Sequence, residues 1–237
     1  MSTTLAPRGT RLPHRTRLLV RWQPHHIVLT VNRDVPPLHR RLIRELFNGV
    51  LEATSRKYPD VAFTAGTLMP DHVHLVAQPQ ANGSRISRAI QNLTACLARG
   101  INRAFGRKGA VFRDRFFSRA LNTVSELVRV LRYIGMNPVK AGLVDRPEDW
   151  EAGSVRAYLA AGSKGTRDTQ DGGIQDRCAS GLGPWRFWGW MYRVLGFEDD
   201  PAEALRRILD GRRRPVVHRG GRQLRLPFTK GLPRRPR

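Results

Sequence analysis

Two histidines one residue apart, His72 and His74, lie in the run Met69-Pro-Asp-His-Val-His-Leu-Val76. On an extended strand successive side chains alternate faces, so both imidazoles project the same way while Val73 and Leu75 point into a core. Imidazoles that close are spaced to hold one divalent ion. Alternating polar residues on a wet strand face give the same pattern without a metal, so the pair needs company. Tyr133 and Asn137 supply it: four residues apart on a helix, they lie one turn apart on one face. Asn137 offers an amide oxygen of the kind hard cations accept. Tyr133 offers a phenol oxygen, a nucleophile that needs activation at neutral pH. Read as ordinary residues, Tyr133 is a half-buried helix aromatic and Asn137 ends a helix before Pro138.

Cationic side chains suggest what would be brought to such a site. Arg113, Arg115 and Arg119 fall at odd positions of Val111 to Leu121, with Phe117 among them. If that segment is a strand, three guanidiniums share one face and suit phosphate contact; a charged, soluble edge is the plain alternative. Arg85, Arg88, Arg99 and Arg103 read as the solvated face of a helix. His26 reads as a polar strand residue or a flank of the histidine pair.

The elements that must position these residues follow from periodicity. His25 to Asn32 is short and β-branched, a strand. Pro36-Pro37 opens a helix whose apolar stripe is Leu38, Leu42, Ile43, Leu46, Phe47, Val50 and Leu51. Val61 to Leu68 and His72 to Gln78 are strands joined across Met69-Pro70-Asp71. Ile86, Ile90, Leu93, Leu97 and Ile101 mark a second helix, and Val111 to Leu121 contains a fourth strand. Thr123-Val-Ser-Glu126 is a capping box that starts a third helix, with Leu127, Val128, Val130, Leu131 and Ile134 apolar and Pro138 as its stop. The order β-α-β-β-α-β-α predicts an α+β fold. It is a ferredoxin-like split βαβ antiparallel sheet with helices on one face, plus an added helix carrying Tyr133. The other face is left free for a ligand, as in RNA-recognition domains.

Charge sharpens the expectation. The 237 residues include 42 Lys+Arg and 19 Asp+Glu, a formal net charge of +23. Residues 1–144 hold 23 basic and 7 acidic residues, a net of +16; residues 145–210 hold 9 and 12, a net of −3; residues 211–237 hold 10 and none. A polyanion is the expected partner, nucleic acid before an anionic membrane surface. No run approaches the roughly 20 apolar residues that span a bilayer, and the first residues lack the apolar core of a secretory signal. Cys96 and Cys178 are too far apart in sequence for a disulfide framework, and Cys96 reads as a small core residue. A cytoplasmic, nucleoid-associated protein fits.

The chain divides on these grounds into a basic arm at 1–20, a catalytic domain at 21–161, a linker at 162–184, a small helical appendage at 185–210 and a basic tail at 211–237. The stretch Gly162 to Gly173 has no hydrophobic residue, which marks the linker. The tail lacks periodicity and reads as disordered when free.

Two blocks, Gly66-Thr-Leu-Met-Pro-Asp-His-Val-His-Leu-Val76 and Arg132-Tyr-Ile-Gly-Met-Asn-Pro-Val-Lys-Ala-Gly-Leu-Val144, resemble the signature blocks of single-tyrosine transposases. The nearer likeness is to the REP-associated tyrosine transposases. Val111-Phe-Arg-Asp-Arg-Phe-Phe-Ser-Arg119 and Trp150 to Leu159 are similar to segments of that family between and after the blocks. The resemblance implies a nuclease of the histidine–hydrophobe–histidine (HUH) class, in which His72, His74 and Asn137 hold Mg²⁺ or Mn²⁺ and Tyr133 attacks DNA. It further implies a covalent 5′-phosphotyrosine, a free 3′-hydroxyl and strand transfer without ATP, on single-stranded DNA at hairpin-forming repeats. Whether the tyrosine helix serves its own site or a partner's, as in a homodimer, stays open. The chain departs from the family at Gly135 and Met136, where relatives often carry His and another residue. A glycine inside a helix costs about 1 kcal/mol relative to alanine, which would loosen this one. Two rivals remain: a nucleic-acid-binding module without chemistry, and a metallonuclease in which water attacks.

Overall fold

The computed structural model describes residues 23–79, 85–162 and 201–211. The expected arm, most of the linker, the first part of the appendage and nearly all of the tail lie outside those residues. The sheet is built from β1 (His25–Thr30), β2 (Val61–Leu68), β3 (His72–Pro79) and β4 (Phe117–Ala120). Their order across it is β2-β3-β1-β4, with every pair antiparallel. That is the expected split βαβ arrangement. The helices are α1 (Arg41–Lys57), α2 (Ile86–Ala104), α3 (Val124–Lys140), α4 (Ser154–Gly162) and α5 (Pro201–Asp210).

One sheet face carries α1 and α2. Ile27, Leu29, Val73, Leu75 and Ala77 meet it, all at most 2% exposed. The five apolar positions expected of α2 are buried there. On α1 the buried line is Ile43, Phe47, Leu51 and Thr54, while Leu42 is 51% exposed. That helix starts at Arg41 because the chain after Pro36-Pro37 first makes turns, with the Leu38 N–H donating to the Pro70 carbonyl at 2.9 Å. Leu46 lies so close to Gly100 of α2 that a Cβ there would stand 2.6 Å from its Cδ2. The glycine lets the two helices approach.

The second face departs from expectation, because α3 and α4 close it over β2 and α5 packs behind them. All eight residues of β2 and seven of eight in β3 are buried, the mark of strands covered on both faces rather than one. Ala65, Ala77 and Gly66 keep those strands thin enough for helices on both sides. A β-bulge at Thr64, between Phe63 and Ala65, turns a carbonyl outward. The buried Tyr158 hydroxyl of α4 donates to it. Beside it, the Gly66 N–H donates to Ser154 Oγ at 3.1 Å, and the Leu68 N–H to the Ala152 carbonyl at 2.8 Å. Among the described residues, the β1–β4 side of this face stays open.

α3 begins as expected: Thr123 Oγ1 accepts from the Glu126 N–H at 3.1 Å, and Glu126 reaches back to the Asn122 N–H at 2.7 Å. It does not stop at Pro138. A proline in the last turn forgoes one backbone donor without breaking the helix interior. α3 runs to Lys140, and Gly142, at φ +65°, reverses the chain. The Leu143 N–H then returns to the Pro138 carbonyl at 3.0 Å, the usual glycine-terminated ending.

Gly135 has a specific reason to lack a side chain. A Cβ there would stand 2.5 Å from Leu209 Cδ2 of α5 and 3.1 Å from Val155 Cγ2 of α4. Leu205, Ile208 and Leu209 of α5 are about 5% exposed or less. Arg132 Nε donates to the Leu209 carbonyl at 3.0 Å. The glycine expected to loosen α3 is thus the seat for another helix. Cys96 is half-buried rather than a core residue. Among the described residues no helix is long and apolar enough to cross a membrane.

Candidate active site

Strand parity and a tight turn place the two histidines. The Met69 N–H donates to the His72 carbonyl at 2.8 Å, so Pro70 and Asp71 form the loop between β2 and β3. The Asp71 carbonyl accepts from the Val31 N–H at 3.0 Å. With its backbone pinned, Asp71 turns its carboxylate to His72 Nδ1 at 2.6 Å. His72 pairs with Thr30 across the sheet and His74 with Val28, and the two side chains share the face on which α3 lies.

The imidazoles converge. His72 Nε2 and His74 Nε2 are 3.1 Å apart, with ring centroids at 4.7 Å. Adjacent ligands of an octahedral ion with bonds of 2.0–2.1 Å would stand about 3 Å apart, so the pair matches the edge of such a coordination sphere. Each histidine is also held at its other nitrogen, His72 by Asp71 and His74 by His26, whose Nε2 is 3.1 Å from His74 Nδ1. Fixing the far nitrogen is how proteins orient metal-binding imidazoles. Burial, then the neighbouring His72 and His26, push His74 down to about 3. Burial and the Arg119 guanidinium push His26 down to about 4. Both are neutral at physiological pH, the state a metal ligand requires.

Tyr133 stands over this cluster. Its ring is edge-on to His74 at 5.2 Å and to His26 at 6.2 Å, and it is 43% exposed. Lys140, two turns on, holds its ammonium 5.9 Å from the ring centroid. Asn137, one turn from Tyr133, buries its Nδ2 without a hydrogen-bond partner among the described residues. A half-turn of the amide exchanges its oxygen and nitrogen, so an amide with an orphaned buried end fits a third ligand. Among the described residues no three His, Cys, Asp or Glu side chains form a metal-binding group. His26 faces the back of His74, so among the described residues a third ligand would come from another residue type. The donor set present, two imidazoles and one amide, fits a divalent ion.

The arginines are only partly as expected. β4 spans four residues, and 113–115 form bends before it, with Phe112 making a single bridge to Val31. The Arg113 N–H donates to the Thr30 carbonyl at 2.9 Å, and the chain then bends through residues 113–115 before β4 begins. Arg113, Arg115 and Arg119 therefore do not share one strand face. Arg113 pairs with Asp114 at 2.9 Å, and Arg115 is exposed. Arg119 lies on β4 opposite His26 and pairs with Glu126 at 3.0 Å. Asp71 and Lys140 were not singled out for the site by sequence, and His26 was read there either as a plain polar strand residue or as a flank of the pair. Parity of β1 could have flagged His26 once its pairing with β3 was known.

Residues 21–137 match the family model described as Transposase IS200 like. A Haemophilus influenzae protein named as a REP-associated tyrosine transposase is 28% identical over 124 residues, covering 48% of this chain and 70% of its own length. A solved REP-associated tyrosine transposase, bound to a REP hairpin, matches with a TM-score of 0.55 at 18% identity. That match covers 68% of this chain and 93% of the other. At that identity the likeness speaks to fold, and the fold is the one described above. The resemblance drawn from the two motif blocks is borne out.

Proposed function

Because residues 21–137 match the IS200-like transposase family, we propose that this chain cuts and rejoins single-stranded DNA through Tyr133, with a divalent metal, at hairpin-forming repeats. The observation that carries the reading is Tyr133 edge-on to His74, whose Nε2 is 3.1 Å from that of His72. His72, His74 and Asn137 would hold Mg²⁺ or Mn²⁺. When bound, that ion supplies Lewis-acid stabilisation of charge developing on the scissile phosphate.

The remaining chemistry belongs to the chain's own groups. The Tyr133 phenol oxygen attacks phosphorus in line, forming a 5′-phosphotyrosine while the bond to the 3′ oxygen breaks. The phenol loses its proton and the departing 3′ oxygen gains one, so the charge balances. Lys140, with its ammonium 5.9 Å from the Tyr133 ring centroid, would favour negative charge on the phenol. A 3′-hydroxyl attacking the phosphotyrosine reverses the step and joins strands without ATP. DNA as partner is consistent with the net charge of +23, and a hairpin is what the matched structure of the relative holds.

The test is a labelled hairpin oligonucleotide with single-stranded flanks, incubated with Mn²⁺ and run on a denaturing gel. The natural chain is expected to carry a covalent label that Tyr133→Phe and His72→Ala both abolish, with oligonucleotide affinity changing less than about threefold. Cutting that survives Tyr133→Phe would assign the attack to water. One observation favours a non-catalytic nucleic-acid module: Phe117, 58% exposed on the open part of the sheet, is placed as a base-stacking side chain would be. Binding without any trapped label would support that module.

A further inference from the structure

His26 is the one imidazole of the cluster for which the proposed reaction has no use. It projects from β1 onto the same face as His72 and His74. Its ring stacks on His74, with centroids 5.1 Å apart and planes 30° from parallel. Its Nε2 is 3.1 Å from His74 Nδ1, on the side of His74 away from His72. Arg119 stands opposite it in register on β4, a positive neighbour that opposes a second charge on His26. The side chain therefore aims a ring nitrogen at the back of a candidate ligand.

A neutral imidazole carries one proton and one lone pair. If the His74 proton sits on Nε2, the lone pair faces His26 and the nitrogen facing His72 cannot bind an ion. With the proton on Nδ1, donated to His26 Nε2, the lone pair lies on Nε2 and faces the point shared with His72. We infer that His26 is a positioning residue: it accepts from His74 Nδ1 and so selects the tautomer that turns the His74 lone pair toward the candidate metal position. Asp71 does the corresponding work for His72, from 2.6 Å. The two ligands are thus held by different partners, a carboxylate and an imidazole. This rests on the metal reading above and extends it to a residue outside the ligand set.

The test is Mn²⁺ affinity of the full chain without DNA, by titration calorimetry or from the loss of the free-Mn²⁺ electron paramagnetic resonance signal. Disturbing such an outer partner typically costs about 10–100-fold in metal affinity. His26→Ala and His26→Phe are expected to weaken Mn²⁺ binding by that factor. The phenylalanine keeps the ring stack and lacks the acceptor. His26→Gln, whose terminal amide reaches about as far as Nε2, is expected to restore most of the affinity. Thermal melts without metal show that each variant folds, and a purely structural role would track those melts instead. The inference is overturned if His26→Phe binds Mn²⁺ like the natural chain, or if His26→Gln is as weak as His26→Ala while both remain folded. Equal binding by the natural chain and His72→Ala would overturn the metal reading itself, and this inference with it.

Discussion

At the scale of single residues, two imidazoles of the site, His26 and His74, are kept neutral by their surroundings, and this has a cost in acid. His74 and His26 take up protons near pH 3 and pH 4 when folded, against 6.5 in an unfolded chain. Between those limits the unfolded state binds more protons, so stability is full above about pH 6.5 and falls as the pH drops toward 4. Each group contributes a slope of up to about 1.4 kcal/mol per pH unit in that window. Metal-free thermal melts from pH 7.5 to 4 should show a falling midpoint, and His74→Gln should flatten part of the fall. A midpoint as steep in that variant as in the natural chain would place the acid sensitivity elsewhere. The His72–His74 pair was legible in the sequence because period-two alternation needs only the strand assignment. The role of His26 was not, because it depends on its ring nitrogen meeting the back of His74, a side-chain contact between strands.

At the scale of elements, α3 owes its position to contacts that local signals do not encode. Its start was readable in Thr123 and Glu126, since a capping box is confined to four residues. Its end was misread at Pro138, because a proline stops a helix interior but is tolerated in a final turn that Gly142 closes. Gly135 read as a weak point, and the close approach of Leu209 became visible only with α5 in place. This predicts a change of sign. In the natural background Gly135→Ala gains about 1 kcal/mol of helix propensity but crowds Leu209, and overpacking typically costs about 1–3 kcal/mol. Leu209→Ala alone should cost about 2–5 kcal/mol through the lost contact and cavity. In the Leu209→Ala background Gly135→Ala should become stabilising by about 1 kcal/mol. Urea unfolding of the four proteins checks this, and a Gly135→Ala effect equal in both backgrounds would show that the two positions are not coupled.

At the scale of the whole molecule, charge and topology divide the work. Residues 212–237 carry ten cations and no anion, and each phosphate neutralised adds about −0.9 to the slope of log affinity against log salt. Deleting 212–237, which spares the helix-ending Gly211 at φ +68°, should weaken binding to a hairpin oligonucleotide and make its salt slope shallower. An unchanged slope in fluorescence anisotropy would mean that the tail touches no phosphate. The α+β class and strand order were legible because alternation and helical spacing are strong signals. The second helical layer was not, because the run from Val61 to Leu68 is small and apolar without alternation and does not announce which faces are covered. That layer also settles how the sheet meets the outside world. The groups along the free side of β2 at Thr64, Gly66 and Leu68 are already engaged by Tyr158, Ser154 and Ala152. A neighbouring polypeptide therefore finds no ladder to extend there, and self-association by strand pairing is left, among the described residues, to the four-residue rim at β4, too short to propagate a fibre readily.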